Sequence, residues 1–187
     1  MPAAPDPLSF AETRRRMRGD CQALRQCLRA RGLPDGALFW SPACQCVMLY
    51  RLSRHCHVRG WNLRARFFWQ LNLWLTGADI SPMSDLGEAL LVIHPVAVTI
   101  SGSAGRGLVV EGWGGMGGGL DMADIGAGPG LPVLGDDVVL DHGAMVLGPV
   151  RVGHRVHIGA GCTVTRDIPD DSIVEEPPVR VRLPGQH

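Results

Sequence analysis

Aliphatic residues return every six positions between residues 80 and 169 of this chain. From Leu134 onward they fall at Leu134, Leu140, Val146, Val152, Ile158 and Val164. The same step fits Ile80, Leu86, Val92, Val98, Ala104, Val110 and Met116. Met116 and Leu134 are eighteen apart, so the register carries across the irregular stretch between them. Small or β-branched residues stand four places after many of these aliphatics, at Ser84, Val96, Val138, Ala144, Val150, Val156 and Cys162. A period of six is neither helical nor simple alternation; it marks a repeat architecture. Two inward positions in six residues make a short flat strand and a corner, and three such units close one turn of a parallel β-solenoid. Frequent glycines argue against a helix over the same span.

Ahead of the repeat the pattern is helical. Ser9 with Glu12 three residues on resembles a capping box, and predicts a helix through about Arg18 that Gly19-Asp20 breaks. A second helix is expected over Cys21–Arg31, ending at Gly32-Leu33-Pro34-Asp35-Gly36. Pro42 starts a third, which runs to Arg59 with Gly60 as its stop, and a fourth spans Trp61–Leu75 before Thr76-Gly77. The expected organisation is therefore a helical domain, 1–77, and a solenoid domain, 78–187, with residues 1–8 loose and a C-terminal tail. An insertion at about 117–132 interrupts the solenoid. Its Gly117-Gly118-Gly119 and Gly126-Ala127-Gly128-Pro129-Gly130 runs cannot build a solenoid face. They suit either a loose surface loop or a mobile flap over a ligand groove.

Composition narrows the function. Lys plus Arg and Asp plus Glu balance at 18 each, which gives no general attraction for nucleic acid or an acidic membrane. The four arginines Arg14, Arg15, Arg16 and Arg18 read as a solvated helix face. Six cysteines lack zinc-ligand spacing, so free thiols and no metal are expected. His55-Cys56-His57 is also a poor metal site, because adjacent helical residues point in different directions. The start shows no signal peptide, and a cytoplasmic location is expected. Phe67–Leu75 is the most apolar stretch, but at nine residues it falls short of the roughly 20 that a bilayer span requires. It is expected to pack on the first solenoid turn.

Histidine suits general-base chemistry because its ordinary pKa lies near working pH. Asp79 and His94 are fifteen residues apart, one turn less three, and this spacing lets them meet at a solenoid corner. A carboxylate on the second ring nitrogen fixes the imidazole tautomer and steadies its charged form. His142 is the rival base, while Asp136, Asp137 and Asp141 read as solvated corner residues. Cys162 occupies an inward small-residue position and reads as core.

Two stretches resemble the hexapeptide-repeat acyltransferases, and the serine acetyltransferase branch in particular. One is Thr76-Gly-Ala-Asp-Ile-Ser-Pro-Met-Ser-Asp-Leu-Gly-Glu with Val92-Ile-His-Pro; the other is Ile158-Gly-Ala-Gly-Cys-Thr-Val-Thr-Arg-Asp-Ile-Pro. Tyr50-Arg51-Leu52 extends the likeness upstream, so that it covers about Pro42 to Arg182. The resemblance implies a left-handed parallel β-helix, acetyl-CoA as acyl donor, and a homotrimer with active sites in grooves between neighbouring prisms. The helical domain could pair trimers or cover the substrate groove. It implies His94 as general base and Asp79 as its orienting partner. Donor-binding positions would be Gly119, His142, Gly143, Ala160, Gly161 and Arg180, with backbone N–H groups of Gly117–Gly119 available to an oxyanion.

The chain also departs from that family's pattern. Ile93 stands where an aspartate precedes the base, and Gly130-Leu131 stands where an Arg-His pair precedes the proline, here Pro132. Ile93 and Leu131 cannot make the charge-assisted hydrogen bonds that grip an amino acid's two ends. The expectation is O-acetylation of a small alcohol other than free serine. Acetylation of an amine, a longer acyl donor, or a scaffold that has lost catalysis are the alternatives.

Overall fold

The computed structural model describes residues 9–32, 34, 38–119 and 121–176. Three helices precede a left-handed parallel β-helix: α1 (Phe10–Ala30), α2 (Pro42–Val58) and α3 (Asn62–Thr76), with a 3-10 turn at Leu38–Trp40. The break expected at Gly19-Asp20 is absent. At Gly19 α1 runs close to the solenoid, where a Cβ would sit in ordinary contact, 3.5 Å from Glu88 Cβ. Asp20 is held inside the helix by Arg51, whose guanidinium meets its carboxylate at 2.8 and 3.0 Å. Glu12 clamps Arg15 and Arg16 on the same helix. The hydrogen bond from Arg15, with Arg16 adding to it, draws the Glu12 carboxyl down to about 2.

The β-helix has three faces. The first carries β1 (Asp79–Ile80), β4 (Thr99–Ile100), β7 (Gly115–Gly117), β10 (Met145–Leu147) and β13 (Thr163–Val164). The second carries β2 (Asp85–Leu86), β5 (Ser103–Ala104), β8 (Val133–Leu134) and β11 (Arg151–Val152). The third carries β3 (Leu91–Ile93), β6 (Val109–Glu111), β9 (Val139–Leu140), β12 (His157–Ile158) and β14 (Ile173–Val174). One aliphatic residue per strand points inward, and these residues form a single continuous core.

The sixfold rhythm slips once near its start. Ile80 pairs with Ile100, Leu86 with Ala104 and Val92 with Val110. The step from Val92 to Ile100 is thus eight residues and the next, Ile100 to Ala104, is four. The two deviations cancel, which hid them in the sequence. Val98 is still buried, at the corner, but Val96 is 57% exposed rather than inward. The enlarged corner begins at His94.

Helix α2 closes the first end of the solenoid. The Tyr50 hydroxyl donates to Ser84 O at 2.8 Å and accepts from Leu86 N, while Arg51 donates to Leu86 O and Gly87 O. Both side chains are fully buried with every polar atom satisfied, as buried polar groups require. Helix α3 packs a small, polar face of Ala65, Asn72 and Thr76 inward. Its large apolar residues Leu63, Phe67, Trp74 and Leu75 lie outward, 60–87% exposed, so Phe67–Leu75 does not pack as a block on the first turn. Among the described residues no helix is long and apolar enough to cross a membrane.

The insertion leaves after β7 and returns at β8, tied by several hydrogen bonds. Asp124 Oδ1 accepts from Gly126 N and Gly128 N, Gly130 N donates to Ala123 O, and Arg151 donates to Ile125 O. The Arg151 bond ties the insertion to β11, while the others lie within it.

Candidate active site

His94 opens the enlarged corner with its backbone in the left-handed region, φ 55°. A non-glycine residue there carries local strain, and His94 is exposed. Beyond it the corner folds back on the first strand: Ala97 N donates to Gly77 O at 3.0 Å and Asp79 N to Val98 O at 2.8 Å. Gly77 caps α3 with φ 76°, and a Cβ in its place would lie 3.4 Å from Val96 Cα. Glycine therefore lets the helix end, the strand start and the His94 corner come together.

Asp79 is half-buried on β1. Its Oδ1 accepts a 2.8 Å hydrogen bond from the indole Nε1 of Trp69 on α3. No hydrogen bond joins Asp79 to His94 among the described residues. Trp69 is absent from the sequence reading; ten residues upstream on a different element, it gave no motif.

His94, Gly112 and His142 form one column on successive turns. A Cβ at Gly112 would stand 2.7 Å from His94 O, 3.3 Å from His94 Cβ and 3.8 Å from His142 Nδ1. Gly112 is thus a notch between two imidazoles. Its column was open to register arithmetic, because β3 pairs with β6 and β6 with β9. Trp113 follows in the left-handed region, φ 64° and 63% exposed, where the same corner on later turns has Gly143 and Gly161 with φ 72° and 76°.

Gly143, Ala160, Gly161 and Ile93 lie along this edge, whereas Gly119 and Leu131 stand at the next corner, between the first and second faces. Gly143 N donates to Gly112 O and Gly161 N to His142 O, with Ala160 exposed at the foot of the column. Gly119 approaches the next turn, where a Cβ would be 3.3 Å from Gly148 Cα. Ile93 is half-buried at the end of β3. Leu131, also half-buried, packs toward Gly118 and Gly128. Arg180 lies outside the described residues. Asp141, expected to be merely solvated, meets His157 Nε2 at 2.8 Å, and Asp136 accepts from Arg106 N at 2.9 Å.

The remaining histidine and cysteine clusters are structural. His55 is packed against Phe10 and Trp61 and hydrogen-bonds Thr13; burial, with Arg59 adding, lowers its pKa. Among the described residues no group of three or more His, Cys, Asp or Glu could hold a metal ion. Cys162 is buried in the solenoid core.

The bacterial transferase hexapeptide family, described by six repeats, matches residues 132–166. Over 171 residues the chain is 33% identical to the serine acetyltransferase of Mycobacterium tuberculosis, covering 91% of this chain and 71% of that one. The chain belongs to the serine acetyltransferase family. Another serine acetyltransferase, from Helicobacter pylori, is 34% identical over 133 residues, covering 70% of this chain and 75% of the relative. The fold is similar to that of serine acetyltransferase isoform 3 from Entamoeba histolytica in complex with cysteine, with TM-score 0.77 and 25% identity over 95% of this chain. That match covers 63% of the solved chain, so this member spans a little under two thirds of that length. The serine acetyltransferase of Neisseria gonorrhoeae shares the fold at TM-score 0.78 and 22% identity, covering 91% of this chain and 64% of that one.

Proposed function

We propose that this member of the serine acetyltransferase family moves an acetyl group from acetyl-CoA to a hydroxyl, with His94 as general base. The observation that carries this reading is the enlarged corner. It is the longest step on the first turns, it presents an exposed histidine, and its later residues hydrogen-bond the start of the strand that bears Asp79. His94 takes the acceptor's hydroxyl proton as the oxygen attacks the thioester carbonyl. The carbon–sulfur bond then breaks, and the departing sulfur receives that proton from the imidazolium. Asp79 steadies the charged ring between the two steps. Backbone N–H groups of Gly117–Gly119 are the donors we assign to the developing oxyanion.

Serine is the acceptor that the relatives' names favour. The expectation against free serine rests on Ile93 and Leu131 alone, and the likeness to named serine acetyltransferases does not support it. We place the acyl donor along the column of His142, Gly143, Ala160 and Gly161, in a homotrimer whose neighbouring prism walls the groove. Release of free thiol from acetyl-CoA, followed with serine and with a panel of small alcohols and amines, tests the reading. We expect turnover with serine. No thiol release with any acceptor, together with no heat of acetyl-CoA binding, would leave a scaffold in place of an enzyme.

A further inference from the structure

We propose that Trp69 is the positioning residue for Asp79, and through it for the His94 ring, so that α3 is part of the reaction's machinery. The inference rests on the assignment of His94 as base and Asp79 as its partner. A carboxylate offers two oxygens and about four acceptor sites. Oδ1 of Asp79 is taken by the Trp69 indole at 2.8 Å. Oδ2 has no partner among the described residues, yet no side-chain oxygen or nitrogen there is both buried and unpaired. It is therefore open to solvent. One oxygen is anchored and the other is left for the imidazole.

The donor is well suited to anchoring. An indole N–H only donates, so it neither takes a proton from Asp79 nor competes with His94 as a base. Its ring is half-buried on a helix whose end is pinned: Thr76 donates to Asn72 O and Oδ1, both at 2.9 Å, and Gly77 N donates to Leu73 O at 3.0 Å. The anchor thus belongs to a rigid element and needs no rearrangement as the ring becomes charged. Partners that orient a metal-bound histidine contribute about 10- to 100-fold, and the lower end of that scale is taken for this carboxylate.

A Trp69 packed for shape alone would also place its N–H near some acceptor, and substitutions separate the two roles. Trp69→Phe keeps an aromatic ring and removes the donor; Trp69→Gln and Trp69→His remove the indole and keep a donor. Steady-state kinetics with acetyl-CoA and serine, alongside thermal unfolding, should show kcat down about tenfold in Trp69→Phe, with KM for acetyl-CoA and the melting temperature unchanged. At least one donor-bearing variant should recover part of that kcat. A Trp69→Phe protein with the parent kcat would overturn the inference, as would donor variants no better than Phe. His94→Ala is measured in parallel. If it turns over normally, the assigned base itself is wrong; if it is inactive while Trp69→Phe is normal, only the role of Trp69 falls.

Discussion

His94 is one of seven non-glycine residues with positive φ among the described residues, and it is exposed. Backbone strain of this kind clusters at functional sites, and a proton-transfer role for His94 is consistent with it. Gly112 beneath it is the residue that fixes the ring's surroundings. Gly112→Ala would force a Cβ to within 2.7 Å of the His94 carbonyl, closer than real contacts allow, so the His94 backbone must move. Turnover is expected to fall about 100-fold, the scale on which a 1 Å misplacement acts, with the fold retained by circular dichroism. Neither the notch nor the Trp69 bond belongs to a local motif. Asp79 and His94 stand out in the sequence because chemistry and spacing coincide within fifteen residues, whereas Trp69 reaches Asp79 only through the packing of α3.

At the level of elements, the repeat was legible because every inward position must be apolar and the corners recur. The eight-residue corner was not, since the following four-residue step restores the period and leaves Val98 buried in both readings. Gly19-Asp20 misled for a related reason. Helix propensity disfavours the pair, but Asp20 gains an ion pair in which both side chains are 2% exposed, and tertiary contacts override propensity. Asp20→Asn leaves the Arg51 charge buried without its partner and is expected to cost about 3–5 kcal/mol in urea unfolding. The double variant Asp20→Asn/Arg51→Met should recover much of that loss. Glu12, itself buried, ties Arg15 and Arg16 on the same helix. Its folded carboxyl near 2 lies below the ordinary 4.5, so the unfolded chain binds the proton first as pH falls. This contribution is complete above about pH 4.5 and is lost towards pH 2. Glu12→Gln should therefore lower stability at pH 7 and make no difference at pH 2, as read from urea midpoints.

The whole molecule is a helical cap bolted to one end of a three-sided prism, with the candidate site where cap and prism meet. The fold's class and order followed from periodicity. The acceptor did not, because it depends on groove walls that one chain's sequence pattern does not describe. A groove between prisms requires neighbours, and sedimentation equilibrium should return three times the 20.1 kDa chain mass; a lone chain retaining full turnover would remove the intersubunit groove. The most direct test of the account is the turnover of His94→Ala with acetyl-CoA and serine. A loss of about 10²- to 10⁴-fold in kcat, with acetyl-CoA still bound, is the predicted result. Turnover close to that of the unaltered protein would contradict it.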